Sequence, residues 1–182
     1  KNAQIGLLKS QANAIFNSPN DPWFGAENPA LVITYFTDFN CPYCKRIEPL
    51  LAQLVEEFPT LQIKIKMVPL LGDSSKEAVD LAQTVWQHEP EKYLKLKKTL
   101  MAKPTRLDTA SIAQAAKATG TEQWIGKADG TTNNTINNNM NLMRALGLRG
   151  TPSLVFADQI VPGLVEYDQL KAGVEKALTE QE

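Results

Sequence analysis

Histidine and cysteine are almost absent from this 182-residue chain, which has one of the first, His88, and two of the second, Cys41 and Cys44. A structural zinc site takes about four Cys or His ligands, so the ligand count argues against zinc. The two cysteines are so close in sequence that a bridge between them restrains little unfolded-chain entropy. That argues against a purely structural disulfide. Two inert thiols would sit more naturally on an apolar face than beside a proline at a helix start. An excess of charge is missing too, with 19 Lys and Arg against 20 Asp and Glu. There is no basic stripe of the kind that binds nucleic acid or an anionic membrane surface. The longest apolar run, residues 30–36, is too short to cross a bilayer, so membrane insertion is not expected. No initiator Met or signal-peptide pattern opens the chain at Lys1, which suits a processed or a trimmed form. The cysteine count by itself fits a reducing or an oxidising compartment.

What is present is Cys41-Pro42-Tyr43-Cys44. A strand-like run, Ala30-Leu-Val-Ile-Thr-Tyr-Phe36, stops just before it, and a helix-like segment from Lys45 to Phe58 follows. A thiol at the first turn of a helix meets unpaired backbone N–H groups and the positive end of the helix dipole. Both favour thiolate, lowering the pKa and raising nucleophilicity at neutral pH. Strand, Cys-x-x-Cys, helix is the arrangement of a redox-active dithiol.

The length suits one domain with an inserted subdomain. Residues 2–17 have the spacing of a short amphipathic helix that Ser18-Pro-Asn-Asp-Pro22 breaks. Trp23-Phe24-Gly25 reads as a short edge strand and 30–36 as a buried central strand. In the helix after the cysteines, Pro49 predicts a kink. Residues 61–68 alternate apolar and polar, which predicts a strand with one buried face. Ser74-Ser-Lys-Glu77 matches a capping box opening the next helix. Further helices follow from Pro90, from Asp108 to Gly120, from Thr121, and over 131–146 with Gly147 as C-cap. In the last of these, Asn133, Asn134, Asn137, Asn138 and Asn139 are poor helix formers expected to face solvent. Residues 151–156 and 159–161 read as a hairpin before a terminal helix over 167–178. The order β–α–β, helical block, β–β–α makes an α/β mixed sheet of about four strands with helices on both faces. This is the thioredoxin arrangement. Its parts are an N-terminal helix and linker (1–22), a first thioredoxin part (23–71), an inserted helical subdomain (72–146) and a second part (147–182).

Phe36-Thr-Asp-Phe-Asn-Cys-Pro-Tyr-Cys-Lys-Arg46 resembles the active-site stretch of the DsbA-like thiol–disulfide oxidoreductases. Leu146-Gly-Leu-Arg-Gly-Thr-Pro152 resembles their second signature, whose Thr-Pro peptide is cis and faces the cysteines in that family. The resemblance covers about residues 23–180. Within the family the two motifs look most like the ScsC group, linked to suppression of copper sensitivity. The resemblance implies a periplasmic enzyme, its signal peptide removed, exchanging disulfides with cysteine-containing extracytoplasmic proteins. It also implies a membrane redox partner and no required cofactor. Cys41 is then the exposed nucleophile, with a pKa expected at about 3–5, and Cys44 the deeper resolving thiol. Pro42 and Tyr43 shape the space between the sulfurs, and Tyr43 reads equally as an exposed loop aromatic or a substrate contact. Thr151 and Pro152 are expected to offer backbone groups to an extended substrate.

The resemblance departs at Tyr35, where well-known oxidases of the family carry a buried acid. Asp38, Lys45 and Glu48 read as solvated or capping residues. Met140 and Met143 read as core at helical spacing, and His88 as an exposed residue at a helix end. Isomerases of the superfamily join protomers through an added N-terminal domain; residues 1–22 are too short for such a globular domain, although a short helix there could still mediate assembly, and a monomer is expected. A second function stays open: Cu(I) bound by the thiolates of Cys41 and Cys44 in the reduced form only, soft ligands suited to that ion.

Overall fold

The computed structural model describes residues 2–181. Its centre is a five-stranded sheet in the order β1-β3-β2-β4-β5. The strands are β1 (Trp23–Gly25), β2 (Leu31–Thr37), β3 (Leu61–Met67), β4 (Ser153–Val155) and β5 (Ile160–Pro162). β2 and β3 run parallel, with Leu31 opposite Leu61 and Thr37 opposite Met67. The other pairings are antiparallel. The short β1 is the edge strand read from the sequence at Trp23-Phe24-Gly25, and it brings the sheet to five strands against the about four expected.

Strand β2 presents its residues alternately to two cores, as a period of two requires. Leu31, Ile33 and Tyr35 join a cluster with Cys44, Ile47, Leu51 and Leu54 of α3 (Pro42–Glu57). Phe36 joins a second cluster with Leu8, Ile15, Leu142 and Met143. That opposite face is covered by α1 (Asn2–Ser10), α2 (Ala12–Phe16) and α7 (Gly130–Ala145). The N-terminal segment is thus two helices, divided at Gln11. Between β3 and β4 lie α4 (Asp73–His88), α5 (Tyr93–Ala102), α6 (Thr109–Thr119) and α7, and α8 (Tyr167–Glu180) closes the chain. Met143 is buried and Met140 packs at the margin of the same cluster. His88 ends α4 exposed, but its ring stacks on Trp124 with centroids 4.5 Å apart.

Three expectations are corrected. No capping box opens α4: its N-cap is Gly72, the Ser74 hydroxyl accepts from Asn40 Nδ2, and Glu77 accepts from the Thr109 hydroxyl. Asn139 does not face solvent, because its amide donates to the Met67 carbonyl at 3.1 Å in the interior. Its neighbours Asn133, Asn134, Asn137 and Asn138 are exposed. β3 is covered on both faces, so its polar positions need partners. Lys66 is 2 % exposed and bonds Asp21 Oδ2 at 2.8 Å. Burial pushes the Lys66 ammonium down and the Asp21 carboxyl up, each toward its neutral form, and their mutual attraction opposes both shifts.

Breaking a buried pair leaves one charge uncompensated, at a cost of about 3–5 kcal/mol, whereas replacing both partners by apolar groups is often neutral. Asp21→Asn is therefore expected to lower unfolding stability by about 3 kcal/mol. The double variant Asp21→Leu/Lys66→Met should recover most of the loss in urea titrations.

Candidate active site

The strand β2 delivers the chain to a three-residue turn, Asp38-Phe39-Asn40, that places Cys41 at the head of α3. Cys41 is itself the N-cap, and Pro42 takes the first helical position, where its missing N–H costs nothing. The helix therefore begins three residues earlier than its apolar periodicity suggests. It runs through Pro49, which leaves the Lys45 carbonyl without its usual donor.

The Cys41 sulfur accepts the Cys44 backbone N–H at 3.3 Å. Facing it from the other half of the sheet is the Thr151 carbonyl, 3.3 Å away, which accepts from the thiol. The Thr151–Pro152 peptide is cis. These contacts oppose each other, since the carbonyl favours the thiol while the donors favour the thiolate. The Cys44 thiol leads those donors, and the Thr151 hydroxyl and the first-turn N–H groups of Tyr43 and Cys44 add to it. The donors prevail, and the Cys41 pKa falls to about 6. That is less acidic than the expected range, because burial works against the charge. Cys41 is only 5 % exposed, so the nucleophile presents an edge to solvent rather than an open face. Cys44 is fully buried, and burial together with its bond to Cys41 pushes its thiol well up. One motif thus holds one acidic thiol and one that keeps its proton.

The chain belongs to the thioredoxin family. The family model described as thioredoxin matches residues 17–176. The catalytic domain of Proteus mirabilis ScsC is 42 % identical with a TM-score of 0.91, the match covering 96 % of this chain and 98 % of that one. A periplasmic thioredoxin-like protein from Salmonella enterica serovar Typhimurium is 37 % identical with a TM-score of 0.87, over 92 % and 95 % of the two chains. Disulfide bond formation protein D of Bacillus subtilis (strain 168) is 21 % identical over 86 % of this chain and 77 % of that protein. The fold, the dithiol and these relatives make it a thiol–disulfide oxidoreductase of the DsbA and ScsC type, acting on cysteine-containing partners.

The other sequence-selected residues divide. Pro42 and Tyr43 are exposed, Tyr43 by 53 %, with the Arg46 guanidinium 5.5 Å from its ring centre. Thr151 is partly exposed beside the sulfur, but Pro152 is buried and its carbonyl accepts from Gly163 N–H. Asp38 is not solvated. It is fully buried and accepts from Asn40 N–H, the Ser75 hydroxyl, and the N–H groups of Leu70 and Leu71. Glu48 is half-buried rather than freely solvated: it pairs with Lys97 at 2.6 Å and accepts from the Tyr35 hydroxyl at 2.8 Å. Lys45 reaches away to the carbonyls of Lys103 and Thr105. The sequence signal for Glu48 was its spacing: four residues past Cys44, it shares a helix face with it.

Thiolate absorbance of the reduced protein should titrate with a midpoint near pH 6, and Cys41→Ser should remove that transition. A midpoint at the free-thiol value of about 8.5 would contradict the geometry. Folding lowers this pKa, so its contribution to stability is complete above the unfolded value and is lost as pH falls through about 6. Cys44 shifts the other way, and its contribution is lost only as pH rises past the unfolded value. Between these limits, the melting temperature of the reduced protein should climb relative to the oxidised protein as pH rises.

Proposed function

We propose that this protein is a periplasmic disulfide donor whose oxidised Cys41–Cys44 pair oxidises the thiols of extracytoplasmic proteins and is restored by a membrane redox partner. The observation that carries this direction is the ring of donors on Cys41 Sγ, which lowers its pKa to about 6. A substrate thiolate attacks Cys41 Sγ, the Cys41–Cys44 bond breaks, and Cys44 leaves with the electron pair and takes up a proton. A second substrate thiolate then attacks the substrate sulfur of the mixed disulfide. Cys41 leaves as a thiolate, and the substrate carries the new disulfide. An acidic leaving thiol speeds this second step and stabilises the reduced enzyme. Pro42 and Tyr43, exposed beside the sulfur, form one wall for the substrate. The Thr151 backbone forms the other, and Pro152 positions it.

Oxidised protein should transfer its disulfide to a reduced, unfolded substrate protein. Cys41→Ser should abolish transfer, and Cys44→Ser should accumulate mixed disulfides that identify the partners. The reduced form should melt at a higher temperature than the oxidised form. Equal melting, or a more stable oxidised form, would overturn the donor direction and leave a reductase.

The acidity of Cys41 supports a second reading in the same site, Cu(I) carried as cargo between Cys41 and Cys44, which would tie the protein to copper tolerance. Thiolates are the soft ligands this ion prefers. The buried Cys44 would have to release its proton to bind. Reduced protein competing with a chromogenic Cu(I) chelator should withdraw about one equivalent, and oxidised protein none. Equal retention by both forms would remove the cysteines from the copper reading.

A further inference from the structure

Cys44 poses a problem that its partner does not. It must gain a proton whenever the disulfide opens and lose one whenever it closes, yet it is fully buried. A line of side chains leads away from it. The Thr37 hydroxyl, at the end of β2, lies near enough to the Cys44 thiol to pull its pKa down against the rise that burial imposes. That hydroxyl donates to the Tyr35 phenolic oxygen at 2.9 Å. Tyr35 in turn donates to Glu48 Oε2 at 2.8 Å. Glu48 Oε1 holds Lys97 Nζ at 2.6 Å, and Lys97 stands 4.7 Å from the centre of the Phe24 ring. Thr37 and Tyr35 have no exposed surface, whereas Glu48 and Lys97 line an open groove of about 410 Å³ with Pro49, Leu94 and Met101.

We infer that Glu48 is the proton terminus for Cys44, reached through the hydroxyls of Thr37 and Tyr35. Two hydrogen bonds already point the right way for the closing step, Thr37 to Tyr35 and Tyr35 to Glu48. The Cys44 proton passes to the Thr37 oxygen, the Thr37 proton to Tyr35, and the Tyr35 proton to the Glu48 carboxylate. The Cys44 thiolate then attacks Cys41 Sγ in the mixed disulfide, the Cys41–Cys44 bond forms, and the partner's sulfur leaves as a thiolate. Opening reverses each transfer. Glu48 exchanges its proton with solvent in the groove, while Lys97 stays bonded to its other oxygen.

The other polar groups near Cys44 do not offer this route. Both Asp38 oxygens are taken by four donors from Asn40, Ser75, Leu70 and Leu71. The Thr151 hydroxyl lowers the pKa of both thiols, but no hydrogen bond links it to a carboxylate among the described residues. The groups facing Glu48 are Lys97 and Tyr93 of α5 and Tyr35 of β2, with Lys45 and Lys98 lining the same groove. Tyr93 donates instead to Met67 Sδ. The inference rests only on the dithiol chemistry, and neither the donor direction nor copper enters it.

The test separates the two thiols. Reduced protein is mixed rapidly with oxidised glutathione, so that Cys41 forms a mixed disulfide which Cys44 then resolves. Cys44→Ser isolates the first step. In Tyr35→Phe and Glu48→Gln, the first step should keep its wild-type rate while resolution at pH 7 slows at least tenfold, the low end for lost acid–base assistance at about 10²–10⁴. Resolution in both variants should then recover steeply as pH rises, because hydroxide takes the proton instead. A purely structural role would lower the melting temperature without this selective, pH-dependent loss. Should Glu48→Gln fail to fold for want of a partner for Lys97, Thr37→Val interrupts the line from its inner end. Wild-type resolution in Tyr35→Phe or in Thr37→Val would overturn the relay, whatever Glu48→Gln does.

Discussion

A buried carboxylate holds this active site in place. Asp38 has no exposed surface, and an ionised group so placed is tolerable only if its oxygens are saturated with donors. Four donors meet that demand, and they come from three separate stretches: the turn before α3, residues 70–71 after β3, and the first turn of α4. Asn40 extends the knot. Its amide donates to Ser74 and Ser75, and its oxygen accepts from Leu107 N–H. The start of α3 is therefore fixed between the strands and the inserted helices by directional bonds rather than by packing alone. Losing any one of these bonds would leave a buried polar atom unpaired, at about 1–3 kcal/mol. That rigidity lets the Cys41 sulfur sit within bonding distance of the first-turn N–H groups on one side and of Thr151 on the other.

Two thiols three residues apart acquire opposite acid strengths from this placement. Cys41 sits outside the helix and collects the unpaired donors of its first turn, a set the backbone fixes in advance. Cys44 sits inside the first turn and faces the sheet, where burial dominates. The Cys44 thiol donates toward Cys41, so the proton that one keeps stabilises the charge on the other. The asymmetry assigns attack and departure to Cys41 and leaves Cys44 dependent on assistance.

Much of this was legible in the sequence, and the misses share a cause. The strand, the dithiol at a helix start and the Thr-Pro loop depend on local pattern and could be read directly. Asp38, Glu48, Lys66 and Asn139 were assigned to solvent because polar side chains usually are. Each is enclosed by a partner distant in sequence: Ser75, Lys97, Asp21 and the Met67 carbonyl. Alternation on β3 suggested a solvated face, but it was covered by elements whose arrival only the tertiary fold determines. The capping box before α4 failed for the same reason. Ser74 and Glu77 have the right spacing, yet Asn40 and Thr109 claim them first.

The line from Cys44 to Glu48 is built from two regular periods that meet at one interface. On β2, Tyr35 and Thr37 are two apart and so point to the same side of the sheet, the side on which α3 packs. On α3, Cys44 and Glu48 are four apart and share the helix face turned to that sheet. Laying the helix across the strand puts a hydroxyl of one pair beside the thiol of the other. The remaining hydroxyl then falls beside the carboxylate. No irregular backbone is needed, and Lys97 from α5 neutralises the one charge this leaves half-buried. Phenylalanine at position 35 would fill the same space in the core. The phenol adds only an oxygen, and in so dry a place an oxygen persists at little cost only while it is bonded on both sides, as this one is.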